Sequence, residues 1–350
     1  MILNALFVLL MAIPSSQLRD AAETARKSGS PDATVLYQKA LKVNPSWQEG
    51  WWALGNLEYA KDRYPQCRDA FGRLSQLAPK AGPALTMLGL CDVGLKDLEP
   101  ALDHLSRGME LGAGNDAITK TARYHLARLY TRAGMFERAL ALIVQLAETA
   151  PESPPYLQLA GTAALWKPAF PEDVPSQDRE LVYFAGKAFW LAGRHDAAAA
   201  GKQMETLVSR YPAAHGVHYL YGSFLLANDP DRAVAEFTAE LANSSDHAGA
   251  LSALAAEYLR RGDPAQGLPY AKRLLTALPD SVASHALFGR LLAEKGDLAE
   301  GARELEKARD LDPTDPQPHI SLASVYAKLG RPADAAHERE AFLRVRDAAH

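Results

Sequence analysis

The stretch from Leu287 to Pro313, LFGRLLAEKGDLAEGARELEKARDLDP, decides the fold of this chain. Apolar and small side chains recur at helical spacing on both sides of a break at Gly296-Asp297. Asp312-Pro313 ends the second stretch, because proline lacks an amide proton and restricts the residue before it. The segment therefore predicts two helices joined by a turn, with packing stripes at Phe288, Gly289 and Leu292 and at Gly301, Leu305 and Ala308.

This helix pair is one copy of a unit that recurs every 34 residues. Gly262, Gly296 and Gly330 stand at that interval in the second half, and Gly55 and Gly89 stand at it near the start. Both ends of the chain therefore share one period. The same interval separates Ala255, Gly289 and Ala323; Tyr258, Leu292 and Tyr326; Pro279 and Pro313; Pro45 and Pro79; Cys67 and Ala101; and Phe71 and Leu105.

The first copy resembles the tetratricopeptide repeat. That family has Trp, Leu-Gly and an aromatic residue on the first helix, then Ala, Phe and a terminal Pro on the second. The pattern is met by Trp51, Leu54, Gly55, Phe71 and Pro79, while Glu58 replaces the aromatic residue and Cys67 replaces the alanine. Other copies restore it, with Leu126, Ala127, Tyr130, Gly134, Ala139 and Pro151 in one and Leu322, Ala323, Tyr326, Gly330 and Ala335 in the last.

The resemblance covers nearly the whole chain after residue 16 and implies an all-α fold. This fold is a right-handed superhelical solenoid of helix-turn-helix units, an α–α superhelix. A glycine or alanine midway along the first helix lets the second helix approach closely. Because one pair cannot bury its apolar face alone, neighbouring pairs stack and share a continuous core.

The composition is that of a folded chain. Its 350 residues exceed what one compact core holds, so we expect several domains or a solenoid. An apolar fraction of 48%, a net charge of −4 and only 2 cysteines exclude intrinsic disorder and a disulfide scaffold. The 38 basic and 42 acidic residues are mixed along the length, so we expect no nucleic-acid partner.

The amino terminus has the order of a secretory signal. An apolar run from Ala5 to Ile13 is followed by Pro14 and two small serines, although no basic side chain precedes the run. We expect residues 1–16 to be a signal peptide and the protein to be exported, either periplasmic or secreted. The alternative is a short hydrophobic first helix in a cytoplasmic protein. The run is too short for a membrane span of about 20 apolar residues, so no integral span is expected.

The repeat register predicts two subarrays. The first covers residues 17–165 and contains a loop insertion at 112–115, and the second covers residues 177–350. Between them lies a proline-rich connection at 166–176. We interpret it as an irregular loop that wraps one helix and has no further role.

The search for catalytic chemistry finds no phosphate loop, dinucleotide fingerprint, nucleophile elbow or His-Glu-x-x-His zinc motif. We therefore expect a protein that is not an enzyme and binds no cofactor and no metal. The remaining enzyme hypothesis places an unrecognised site near His215 and His218, which are three residues apart. His285 and His319 recur at the repeat interval, which favours a packing position over a metal ligand.

Cys67 and Cys91 lie on a second helix and on the first helix of the following unit. A disulfide between them is conceivable, and it would persist only in an oxidising compartment. We expect instead two separate buried thiols that act as small hydrophobic residues.

The resemblance implies that first helices line the concave side of the superhelix, so residues beside their packing stripe are candidates for binding. These residues are mainly aromatic and cationic in the first half, and the pattern fades after residue 250. Such side chains supply much of the binding energy at protein interfaces, which favours a protein or an extended peptide as the partner. The alternative is an architectural subunit of a permanent envelope complex. The candidates are Trp52, Asn56, Tyr59, Tyr124, Arg128, Arg132, Tyr183, Lys187, Trp190 and Tyr219.

Overall fold

The computed structural model describes residues 14–348, and in that range it contains 19 α-helices and no strand. The expected all-α fold of repeated helix pairs is confirmed. The predicted signal peptide falls mostly on residues 1–13, which lie outside the described residues. The helices are α1 Ser15–Lys27, α2 Ala33–Val43, α3 Gln48–Tyr59, α4 Tyr64–Leu77, α5 Gly82–Gly94, α6 Leu98–Glu110, α7 Asp116–Arg132, α8 Phe136–Thr149, α9 Pro154–Ala164, α10 Arg179–Gly193, α11 Ala197–Arg210, α12 Val217–Leu225, α13 Pro230–Asn243, α14 Ala248–Arg260, α15 Pro264–Ala277, α16 Val282–Lys295, α17 Leu298–Leu311, α18 Pro316–Lys328 and α19 Pro332–Ala348.

The pair α16 and α17 shows why small residues recur in the repeat. A Cβ atom on Gly289 would lie 2.8 Å from the carbonyl oxygen of Gly301, and one on Gly301 would lie 2.7 Å from that of Gly289. The two backbones therefore meet directly, and the fully buried Leu305 fills the space beside them. Gly296 ends α16 with φ +102°, a conformation that favours glycine.

The chain forms two compact units. Unit 1 comprises the residues up to Glu152 together with Pro168–Glu172, and unit 2 comprises Ser153–Lys167 and the residues from Asp173 onward. This boundary differs from the one expected at residue 165. The sequence interpretation assigned α9 to the first subarray, but α9 packs against α10, so the proline-rich connection lies inside a helix pair.

No helix within residues 14–348 combines the length and the apolar character that a membrane crossing requires. The largest side chains that are fully buried come from both units. They include Tyr37, Phe71, Leu105 and Ile143 in unit 1 and Trp190, Met204, Leu207 and Phe237 in unit 2.

Candidate functional site

The exposed face of α1 and α3 forms a depression of about 460 Å³ in unit 1. Trp52 and Asn56, two of the predicted binding residues, line it together. The Trp52 ring is held edge-on against Phe71 at a centroid distance of 5.4 Å, and Asn56 donates a hydrogen bond to the carbonyl oxygen of Trp52 at 2.7 Å. The opposite wall comes from α1, which the sequence interpretation had not included.

A hydrogen-bonded network fixes the charges of that wall. The Tyr37 hydroxyl donates to Glu23 at 2.5 Å, and Arg26 donates to the other carboxylate oxygen at 2.9 Å. The hydrogen bond from Tyr37 is the main cause that lowers the pKa of Glu23, while burial raises the pKa of Tyr37 to about 12. The depression therefore offers an ionised carboxylate, a guanidinium, an amide and an indole ring to a ligand.

Tyr59 lies one helical turn further along α3, outside the set of residues that line this depression. It is half-buried and packs edge-on against Tyr64 at 6.0 Å. Burial raises the pKa of Tyr59. This tyrosine stabilises the turn between α3 and α4 as much as it faces solvent.

The predicted residues of α7 are partly covered by the proline-rich connection. The guanidinium of Arg128 lies 5.6 Å from the ring centre of Tyr124 and 5.1 Å from that of Phe170. It also forms an ion pair with Glu172. Arg132, one turn later, is exposed. The expectation that the connection simply wraps a helix with no further role left this contact out.

On α10 the structure separates the three predicted residues. Tyr183 is 42% exposed and Lys187 is half-buried, but Trp190 is fully buried and stacks on Tyr156 at 5.5 Å. The assignment of Trp190 to a binding groove is therefore wrong. Because α10 packs against α9 on one side and α11 on the other, this face of the helix is part of the core.

Tyr219 on α12 is half-buried in an aromatic cluster. Its ring centre lies 4.6 Å from that of His247 and 5.3 Å from that of Trp166. Burial lowers the pKa of His247 to about 4, so its ring is neutral at pH 7. Tyr219 therefore helps to hold the start of the connection.

A second depression, of about 290 Å³, lies on the first-helix face of unit 2. It is lined by Arg290, Ile320, Ser324 and Lys328. Ile320 is 40% exposed, which is unusual for an isoleucine with no solvent-facing role. The sequence interpretation considered this part of the face bland, because it has no aromatic residue.

The histidines form a repeated structural clamp. In unit 2, Nδ1 of His285 lies 2.7 Å from a carboxylate oxygen of Glu304, and its Nε2 donates to the carbonyl oxygen of Pro279 at 2.8 Å. His319 repeats this with Glu338 at 2.6 Å and Pro313 at 3.2 Å. The expectation that His285 and His319 occupy a packing position is confirmed.

His218 forms the same clamp, with Glu236 at 2.6 Å and Pro212 at 2.9 Å. Its neighbour His215 instead stacks on His247 at 4.8 Å. The two histidines of the enzyme hypothesis thus have different structural partners. Among the described residues, no group of three or more His, Cys, Asp or Glu side chains could hold a metal ion.

The clamp replaces the tryptophan of the repeat, and the sequence carried a signal for it. Trp51 donates from its indole nitrogen to the carbonyl oxygen of Pro45, six residues earlier, just as each clamp histidine does. Glu304 and Glu338 stand 19 residues after His285 and His319. Comparing both helices of each copy would have found these pairs.

The two cysteines form a disulfide, so the expectation of separate thiols is wrong. Packing of α4 against α5 brings the Cα atoms of Cys67 and Cys91 to 5.9 Å, within the normal range for a disulfide. Both side chains are fully buried.

Comparison with known proteins agrees with the repeat pattern. Residues 252–316 match a sequence profile of the tetratricopeptide repeat, and residues 121–145 and 316–337 match a second profile of the same description. Over 160 residues the chain is 30% identical to cellulose synthase operon protein C of Xanthomonas axonopodis pv. citri (strain 306), which is 43% of this chain and 11% of that protein. Over 116 residues it is 27% identical to anaphase-promoting complex subunit 3 of Schizosaccharomyces pombe, which is 33% of this chain and 17% of that protein. The chain therefore matches less than a fifth of either relative.

Two solved structures overlap with about half of the chain. MamA from Desulfovibrio magneticus RS-1 is 19% identical, with a TM-score of 0.45, and the match covers 48% of this chain and 96% of that one. YrrB, described as a TPR protein with an unusual peptide-binding site, is 16% identical, with a TM-score of 0.43 and coverage of 48% and 89%. The profile matches and the 34-residue helix pairs together establish that the chain belongs to the tetratricopeptide repeat family.

Proposed function

We propose that this protein is a non-enzymatic interaction scaffold that binds extended segments of a partner protein along its first helices. The observation that carries the proposal is an open depression on the first-helix face of each unit. One is lined by Trp52 and Asn56, and the other by Arg290, Ile320 and Ser324.

The chemistry of the two depressions suits a peptide. Asn56 and Ser324 offer an amide and a hydroxyl to backbone groups, and Arg26 and Arg290 offer guanidinium groups to carboxylates or carbonyl oxygens. Trp52 offers a rigid aromatic surface of the kind that dominates binding energy at interfaces.

An architectural subunit of a permanent complex is the second candidate. It is supported by the names of the two relatives, one an operon protein and the other a subunit of a large complex. The two candidates differ in exchange: a scaffold releases and rebinds its partner, whereas an architectural subunit stays bound through repeated washing with excess unlabelled protein.

We also propose that the protein acts outside the cytoplasm. The Cys67–Cys91 disulfide supports this, because such bonds persist in oxidising compartments. The order of residues 5–16 supports it as well. Amino-terminal sequencing of the natural protein should find a start near Gln17, and an intact Met1 in a cytosolic fraction would contradict export.

Site-specific photocrosslinking in the native organism tests the scaffold proposal. A photoreactive residue is placed at Asn56 or at Ile320, and matched controls carry it at the exposed positions Lys39 and Arg303 on second helices. We expect one saturable protein cross-link from the first-helix positions and none from the controls. Equal labelling at all four positions would refute binding at this face.

A further inference from the structure

Five residues of the proline-rich connection, Pro168–Glu172, lie on α7 and belong to unit 1; we call them the strap. The connection is anchored just before and just after it. Trp166 packs in the aromatic cluster with Tyr219, Lys167 pairs with Asp178 at 3.0 Å, and Val174 is buried. The strap is therefore a short segment held at both ends.

The strap contacts α7 as a bound peptide would. Glu172 accepts a hydrogen bond from one guanidinium nitrogen of Arg128, and the ring of Phe170 lies over the same guanidinium at 5.1 Å. Tyr124 flanks the guanidinium at 5.6 Å. As a result the Arg128 side chain is only 17% exposed, whereas Glu172 is 59% exposed. The residue that the sequence singled out for partner binding thus has an occupant from its own chain.

The charge of α7 extends beyond the strap. Lys120, Tyr124, Arg128 and Arg132 follow one another at four-residue spacing and share one face of the helix. The only acidic residue on α7 is Asp116. Within residues 14–348, no carboxylate forms an ion pair with Lys120 or Arg132. The strap neutralises the middle of a cationic stripe and leaves both ends open.

We propose that the strap is a built-in ligand, and that the α7 face binds a partner segment with an aromatic side chain followed two residues later by a carboxylate. This inference rests on the proposed function and specifies the ligand at one part of the first-helix face. The partner segment is acidic and longer than the strap, because additional carboxylates reach Lys120 and Arg132. Those contacts offset the advantage that tethering gives the strap, whose effective concentration is in the millimolar range.

The test uses the strap itself as a probe in trans. A labelled synthetic peptide of residues 166–176, WKPAFPEDVPS, is titrated against the full-length protein by fluorescence anisotropy. One receptor is the wild type, and another carries Phe170→Ala and Glu172→Ala. We expect the peptide to bind the double variant at least about tenfold more tightly than the wild type, because the internal ligand no longer competes.

Three controls make the test specific. Adding Arg128→Ala to the double variant should weaken peptide binding at least about tenfold, since charge-assisted and cation–π contacts are lost. A peptide with lysine in place of the glutamate should bind no better than to the wild type. A peptide extended by acidic residues at both ends should compete with the strap in the wild type.

Equal peptide affinity for the wild type and the double variant would overturn the proposal, as would binding that ignores Arg128→Ala. If the double variant loses its helical circular dichroism, Glu172→Gln keeps the ring contact and serves as the receptor. Cross-links at Asn56 or Ile320 without any strap effect would refute this inference and leave the scaffold proposal standing. A strap effect without such cross-links would do the reverse.

Discussion

Gly161 on α9 and Gly186 on α10 face each other so closely that neither position has room for a side chain. A Cβ atom on Gly161 would overlap the carbonyl oxygen of Val182, and one on Gly186 would overlap that of Leu157. The two backbones are in direct contact at this crossing. The contact explains why α9 pairs with α10 although the proline-rich connection separates them in sequence.

Gly186→Ala should therefore destabilise unit 2 by roughly 3 kcal/mol or more, because the atoms that must move belong to a backbone. The matched control is Gly201→Ala on α11, where a Cβ atom would lie 3.5 Å from Phe224 in ordinary contact. That change should stabilise α11 by up to about 1 kcal/mol through helix propensity. Urea unfolding of both variants measures the difference, and equal midpoints would contradict this view of the crossing.

The histidine clamps predict a non-additive double substitution. The fourth copy of the clamp positions, in α14 and α15, has Leu251 in place of the histidine and Tyr270 in place of the glutamate. His285→Leu alone removes one partner of the buried Glu304 and should cost about 2 kcal/mol. Adding Glu304→Tyr recreates the natural alternative and should recover at least half of that loss. Strictly additive unfolding free energies would show that the two positions are not coupled.

The disulfide predicts a stability that depends on reductant. It closes a loop with a sequence separation of 24, which corresponds to about 3 kcal/mol of stabilisation. The oxidised protein should melt at a higher temperature than the reduced protein, and a Cys67→Ala, Cys91→Ala variant should not respond to reductant. Alkylation of both thiols in the untreated protein would contradict the pairing.

Acid should weaken unit 2 through Glu257. Hydrogen bonds from Arg260 and then Arg261 outweigh the effect of burial and lower the pKa of this carboxyl from 4.5 to about 2. Because the folded-state pKa is depressed, the stabilisation is fully present above pH 4.5 and is lost as the pH falls towards 2. Glu257→Gln should lose about 1–2 kcal/mol at pH 7 and show a smaller decline on acidification. Parallel unfolding curves of the two proteins between these pH values would refute the assignment.

Local sequence was sufficient to predict the helix pairs. Gly289 and Gly301 lie in one copy of the repeat, so their mutual contact follows from helical spacing and a short turn. The histidine clamps were equally accessible, because His285 and Glu304 are 19 residues apart and recur together as His319 and Glu338.

The candidate site was only partly predictable. Trp52 and Asn56 are one turn apart on a single helix, and the structure does place them side by side. Trp190 satisfied the same spacing rule but is buried, because whether a helical face is open depends on the helices packed against it.

The sequence by itself determined the period, the helix pairs and the small residues where helices meet, since these depend on neighbours within one repeat. The tertiary structure alone decided that Glu172 covers Arg128, 44 residues away, and that Cys67 bonds to Cys91. Such contacts join residues whose distance is set by the accumulated geometry of several helices and a loop. Spacing along one helix contains no information about that geometry.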